Sequence, residues 1–310
     1  MIFTVTLNPA LDKSIVVPNF AVNTVSRVQQ THLDPGGKGI NVSKTVHALG
    51  GETLAMGIVG GATGGYIKTA LDRAGVPNDF VIAEHPTRTN LKILDPVLGT
   101  TTDINEAGFP VDFAALDQLW EKLERQAQAG DLVVFAGKNP PETDDGLLAQ
   151  WVEKLHKRGV MTAVDTVGVP MELALRQHPA IIKPNLEELS ALLGKTVSTA
   201  QEAAQAAADF VRDGVKLAVV SMGAEGAVFA VPDRVLYGRA PAVPVYGTTG
   251  AGDAMMAALC CCLLGGDDPE QTARCALAVA AASVMQPGTK APRPDTVQQL
   301  LDQIVLETMV

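Results

Sequence analysis

The chain has 310 residues, 47% of them hydrophobic and 19% charged, with a formal net charge of −10. That composition belongs to a globular chain with a large buried core and excludes disordered and fibrous classes. The acidic balance repels polyanions, so nucleic acid is not an expected partner and any phosphate site must be a local arrangement.

Ile2 to Leu7 reads as a buried strand closed by Asn8-Pro9, and the following thirty residues alternate short β-prone pieces with turn residues. The pattern then becomes a helix from Gly39 to about Leu49, a strand from Thr53 to Val59 and a helix from about Gly64 to Ala74. Two strand-like pieces follow, Phe80 to Ala83 and Asn90 to Asp95, which the early excursions could join in a small separate sheet. Beyond a loop rich in Thr, Gly and Pro, helices and strands alternate: Phe113–Gln128, Leu132–Ala136, Gly146–Lys157, Met161–Asp165, Met171–Gln177, Ile181–Lys183. Helices near Glu187–Leu193 and Thr199–Arg212 precede a strand at Leu217–Ser221 and further strands between Gly226 and Val245. Helices at Ala251–Leu264, Pro269–Met285 and near Thr296–Leu306 end the chain. Regular alternation with short connections predicts a mostly parallel sheet wrapped by helices. Residues just beyond the carboxyl ends of its strands are then the ones to inspect for chemistry.

Three of the four cysteines, Cys260, Cys261 and Cys262, are consecutive. Helical neighbours point about 100° apart and cannot converge on a metal, so packing in a reducing compartment is expected. The N-terminus lacks the basic start of a secretory signal, and apolar runs such as Ala276 to Met285 are too short to span a bilayer. These features together read as a cytoplasmic chain with no membrane partner.

Neither the P-loop pattern nor G-x-G-x-x-G occurs, which removes the main support for a dinucleotide-dependent dehydrogenase. Thr248-Thr249-Gly250-Ala251-Gly252-Asp253-Ala254 leads directly into an apolar helix. Small residues there leave backbone N–H groups open at a helix start, where the dipole favours an anion, and Asp253 can accept a hydroxyl proton or simply cap the helix. The same dipole would hold Asp253 ionised and weakly basic. Asp34-Pro35-Gly36-Gly37-Lys38-Gly39-Ile40-Asn41 again runs glycines into a helix, offering amides, an ammonium and a carboxamide to a sugar phosphate. Asp12, just past the first strand, can accept two sugar hydroxyl protons. Lys183-Pro184-Asn185-Leu186-Glu187-Glu188 fits either a capping box or a magnesium site completed by water and phosphate. Ser221-Met222-Gly223-Ala224-Glu225-Gly226 reads as a nucleotide loop or a plain hairpin.

Taken in order, Asn8 to Asp12, Pro35 to Asn41, Thr87-Arg88-Thr89-Asn90, Lys183 to Glu188, Ser221 to Gly226 and Gly250 to Asp253 resemble the phosphofructokinase B branch of ribokinase-like sugar kinases, essentially end to end. The opening Thr6-Leu7-Asn8-Pro9-Ala10-Leu11-Asp12 and the Pro35 to Asn41 segment look most like the 1-phosphofructokinases and tagatose-6-phosphate kinases of that branch. The resemblance implies one ribokinase-like domain over 1–310, a three-layer α/β/α core with a β lid formed by about 12–34 and 80–106. It implies MgATP as phosphoryl donor and a ketohexose phosphate as acceptor, in the first place fructose 1-phosphate going to fructose 1,6-bisphosphate. Tagatose 6-phosphate or fructose 6-phosphate are the alternatives, and a non-catalytic sugar-phosphate sensor is the rival of another class.

Carried over by position, Asp253 would be the base, with Gly250, Ala251 and Gly252 forming the anion hole. Asp12, Gly37, Lys38 and Asn41 would hold the acceptor, with Arg88 and Asn90 reaching it from the lid. Lys183, Asn185, Ser221, Gly223, Glu225, Gly226 and Gly252 would line the nucleotide, and Glu188 would hold Mg²⁺ through water. The lid is implied to pair with its twin in a homodimer. Gly137-Lys138-Asn139-Pro140 departs from the family's Gly-Ser-Leu-Pro, putting Lys138 in place of a serine as a third cation or a solvated side chain.

Overall fold

The computed structural model describes residues 1–309. The opening strand β1 (Ile2–Thr6) leads to β2 (Ala10–Val16), β3 (Gln30–Gly36), α1 (Lys38–Ala48), β4 (Thr53–Gly60), α2 (Gly61–Arg73) and β5 (Asn78–Ala83). Next come β6 (Arg88–Asp95), β7 (Thr100–Asn105), α3 (Phe113–Gln126), β8 (Leu132–Ala136), α4 (Leu147–His156), β9 (Met161–Asp165) and α5 (Val169–Leu175). The C-terminal half holds β10 (Ile181–Ile182), α6 (Leu186–Leu193), α7 (Ala200–Arg212), β11 (Leu217–Ser221), β12 (Ala227–Val231) and β13 (Arg234–Arg239). It closes with α8 (Ala251–Gly265), α9 (Pro269–Val284), α10 (Pro294–Leu301) and β14 (Val305–Thr308).

Ten strands form one sheet in the order β14-β13-β12-β11-β10-β9-β8-β1-β4-β5, parallel from β11 to β5 and antiparallel at its other edge. The parallel strands read as continuous apolar runs because both faces are covered. Alternate residues divide between two cores, with Phe3, Val5, Val133 and Phe135 on one side and Ile2, Leu132, Val134 and Ala136 on the other. Helices α3 to α7 cover the first face; α1, α8, α9 and α10 cover the second, and α2 extends that layer over β4 and β5. On α3, Leu116, Leu119, Trp120 and Leu123 are buried at the spacing that puts them on one stripe. No helix among the described residues is long and apolar enough to cross a membrane.

From β1 the chain moves outward to β4 and β5, then returns to β8 and builds in the opposite direction. The reversal opens a crevice beyond the carboxyl ends of β1 and β8, where ligands of open α/β sheets collect. A second, four-stranded sheet in the order β3-β2-β6-β7 stands over that end as the lid.

Three details differ from the sequence reading. The strand expected to join the lid at Phe80 to Ala83 pairs instead with β4 as the edge of the large sheet. Its apolar run is compatible with either sheet, and the helix–strand connection from β4 through α2 carries it to the adjacent parallel position. Lid strand β7 lies in the stretch expected as loop; all six of its residues are exposed, so no hydrophobic alternation announces it. Strand β14 follows α10 where the last helix was expected to continue, and it pairs antiparallel with β13.

Leu119 is fully buried under the sheet. Leu119→Ala should lower the unfolding free energy by about 2–5 kcal/mol, read from the shift of the urea midpoint at unchanged slope.

Candidate active site

Two glycine-rich helix starts converge beyond the strand ends. Helix α1 is capped by Gly37 at φ 117° and α8 by Gly250 at φ 88°, left-handed conformations that favour glycine, and neither start has a side-chain cap. The Ala251 amide is taken by the Thr248 carbonyl, so of the expected anion hole the amides of Gly252 and Asp253 stay open among the described residues. Open amides at a helix start are suited to a phosphoryl group.

Asp253 is 7% exposed, and its Oδ2 accepts a hydrogen bond from Asn41 Nδ2 at 2.8 Å, joining α8 to α1. Asp165, at the carboxyl end of β9, is equally hidden; its Oδ1 accepts from Lys38 Nζ at 2.8 Å and its Oδ2 lies 3.5 Å from Lys183 Nζ. Glu188 Oε1 lies 3.5 Å from the other side of Lys38. Lys183 Nζ stands 3.0 Å from the place a Cβ would occupy on Gly252, so its ammonium faces the open amides. Two ammoniums and two buried carboxylates thus share one water-poor centre.

The two carboxylates titrate in opposite directions. Burial would raise Asp165, but Lys183 and Lys38 outweigh it and hold the group below the usual carboxylate range. Burial, then the neighbouring Asp165 charge, push Asp253 up to about 6 against the pull of Asn41 and the two lysines. The expected weak basicity from the helix dipole is therefore corrected: desolvation and a like charge exceed a dipole screened within the first turn. Lys38 is held more firmly protonated than a free lysine; Asp165 and Glu188 overcome its burial.

The residues expected to hold the acceptor lie on and beside the small sheet. Asp12 on β2 accepts from Asn90 Nδ2 on β6 at 2.9 Å, and burial lifts its pKa. Arg88 donates through Nε and Nη2 to the Asn8 carbonyl and through Nη1 to the Glu106 carbonyl at 2.8 Å, so its fork braces the base of the lid. Lys92 donates to Thr249 Oγ1 at 2.8 Å, a direct tie from the lid to the loop that opens α8. Lys138 is exposed in the loop after β8 and forms no ion pair among the described residues. Among the residues expected to line the nucleotide, Asn185 forms a reciprocal capping box with Glu188 at α6 and bridges to Ser221 at the end of β11. Gly223 to Glu225 make a short 3-10 turn closed at Gly226, where the Glu225 carbonyl accepts from the Tyr237 hydroxyl at 2.6 Å.

The model of the pfkB family carbohydrate kinases matches residues 6–296. The chain belongs to this family. A 1-phosphofructokinase of Rhodobacter capsulatus is 34% identical over 309 residues, spanning 99% of this chain and 98% of that relative. A tagatose-6-phosphate kinase of Staphylococcus epidermidis is 30% identical over 308 residues, 98% of each chain. Phosphofructokinase-2 from Escherichia coli, solved in complex with substrates and products, superposes with a TM-score of 0.93 at 30% identity over 97% of this chain and 98% of that one. The pfkB chain is accordingly a sugar kinase with ATP as its donor and a ribokinase-like fold.

Sequence reasoning missed Asp165, Lys44 and Lys92. Asp165 carried a usable signal, since a carboxylate ending a buried parallel strand stands at the ligand-binding edge of such a sheet. Lys44 lies three residues after Asn41, on the same helical face. Lys92 could not be read as a tie, because its partner is 157 positions away.

The folded pKa of Asp253, about 6, lies above its ordinary 3.8, so the folded state binds the extra proton between those values and stability falls as pH rises through that window. Asp253→Asn should therefore stabilise the protein at pH 7.5 by on the order of 1–3 kcal/mol, a gain that fades toward pH 4. Thermal unfolding across that pH range checks it.

Proposed function

We propose that this pfkB kinase transfers the γ-phosphoryl group of ATP to O6 of fructose 1-phosphate, giving fructose 1,6-bisphosphate and ADP. The observation that carries this reading is the buried, basic Asp253 hydrogen-bonded to Asn41 where the two uncapped helix starts meet. The acceptor hydroxyl lies against Asp253, which takes its proton as the oxygen bonds to γ-phosphorus and the bond to the ADP oxygen breaks. The amides of Gly252 and Asp253, with the Lys183 ammonium, receive the charge on the transferring group. A pKa near 6 leaves Asp253 ionised at neutral pH yet basic enough to keep the proton late in the transfer.

Asp12 and Asn90 orient sugar hydroxyls, while Arg88 brings positive charge to the acceptor phosphate from the lid. Lys38 is committed to Asp165 and Glu188, so it serves the donor side more than the acceptor. Ser221, Gly223, Glu225 and Gly226, joined to Asn185 across the β11 end, border the nucleotide. Glu188 Oε2 is taken by the Asn185 amide, but Oε1 has only the Lys38 ammonium at 3.5 Å, which leaves it able to accept from a metal-bound water. That donor set fits a Mg²⁺ carried mainly by phosphates and water; bound there, it would neutralise phosphate charge. The 1-phosphofructokinase relatives favour fructose 1-phosphate, and the tagatose-6-phosphate kinases supply the second acceptor to test.

A coupled ADP-release assay should give its highest kcat/KM with fructose 1-phosphate; better turnover of tagatose 6-phosphate, fructose 6-phosphate or free fructose would reassign the acceptor. The acid limb of kcat/KM should fall tenfold per pH unit below about 6, where Asp253 becomes protonated. Asp253→Asn should lose at least about two orders of magnitude in kcat with ATP affinity kept.

We further propose a two-fold dimer through the lid. Edge strand β7 and the first three residues of β3 are exposed, and Val22, Val25 and Val28 on the lid loop leave apolar surface uncovered. Sedimentation should give twice the chain mass, and Val25→Glu should shift it toward the monomer.

A further inference from the structure

We propose that Lys44 is a positioning residue for phosphoryl transfer, its ammonium bolting the Gly-rich acceptor loop to the C-terminal loop that backs the anion hole. Lys44 Nζ donates to the Pro35 carbonyl at 3.1 Å and to Thr289 Oγ1 at 3.0 Å. Pro35 opens the Gly36-Gly37 turn that starts α1. Thr289 is buried, and its Cγ2 lies 3.7 Å from where a Cβ would stand on Gly250, the residue that caps α8. One side chain therefore sets the separation of the two helix starts between which Asp253 and Asn41 meet.

The chemistry of the contact argues against a purely structural peg. Both acceptors are neutral oxygens, and no carboxylate lies within ion-pair distance among the described residues. A partly buried ammonium held this way pays for its desolvation without a paired charge. Burial pulls it down to about 8, opposed by the fields of Asp34, Asp12 and Asp253. Those three carboxylates belong to β3, β2 and α8, so the cation sits among the groups that handle acceptor hydroxyls and the transferred proton. An uncharged side chain of similar length would fill the space and lose both the bolt and the positive field.

The inference rests on the kinase reading of Asp253, and the experiment separates the two. Initial rates, KM for each substrate and thermal midpoints are measured for wild type, Lys44→Met, Lys44→Arg and Thr289→Val. Misplacement of a reacting group by about 1 Å can cost roughly 100-fold, so Lys44→Met should lower kcat at least tenfold with KM for ATP changed less than threefold. Lys44→Arg should recover at least a third of wild-type kcat, because it can reach the same two oxygens. Thr289→Val keeps the methyl against Gly250 but removes the acceptor, and should reproduce the kcat loss without a matching fall in thermal midpoint. Wild-type kcat in Lys44→Met and Thr289→Val, or losses that track thermal stability and are not rescued by arginine, would overturn the role of Lys44 alone. A folded wild type without acceptor-dependent ADP release would overturn the assigned reaction and, with it, this role.

Discussion

Two carboxylates in a space this dry raise the cost of ionising each other, and the arrangement of Asp165 and Asp253 answers that constraint. Lys38 and Lys183 flank Asp165 and fix its charge. Asp253, whose carboxylate has the Asn41 amide as its one hydrogen-bond partner among the described residues, is pushed up to about 6 by burial and then by the Asp165 charge. One group is held as an anion between the two lysines, and the other has its pKa raised. Each depends on the other, since removing the Asp165 charge would lower Asp253 and leave Lys183 without its paired carboxylate and Lys38 with Glu188 alone.

The sheet topology makes this possible. Asp165 ends β9 and Lys183 follows β10, so both side chains are delivered to the same edge by strands of the large sheet, while Asp12 reaches it from β2 of the small sheet. Helices α1 and α8 come from the opposite layer and bring their open starts to that edge. Elements of the large sheet and its helices hold the groups within hydrogen-bond distance, while the small sheet, tied by Lys92 to Thr249 and braced by Arg88, is an appended layer with a small hydrophobic cluster of its own.

The Glu188 side chain shows how local and long-range uses can coexist. Its capping box with Asn185 was readable from spacing, and the structure contains it. The same carboxylate also leans on Lys38 through its other oxygen, a contact that spacing could not reveal.

By itself the sequence determined the local elements and the residues at their ends. Apolar runs of five or six residues, helical periodicity, glycines at helix starts and a carboxylate behind them are encoded within a few positions, and they locate β1, α1, β8, β9, α8 and the motifs attached to them. What only tertiary structure decided was adjacency. That β5 joins the large sheet and not the lid, that exposed β7 is a strand at all, and that Asp165 meets Lys38 from 127 positions away are outcomes of pairing and packing across the chain. The basicity of Asp253 belongs to the same class, because desolvation and the nearness of a second carboxylate are properties of the folded interior, and no spacing in the sequence records how much water a site will keep.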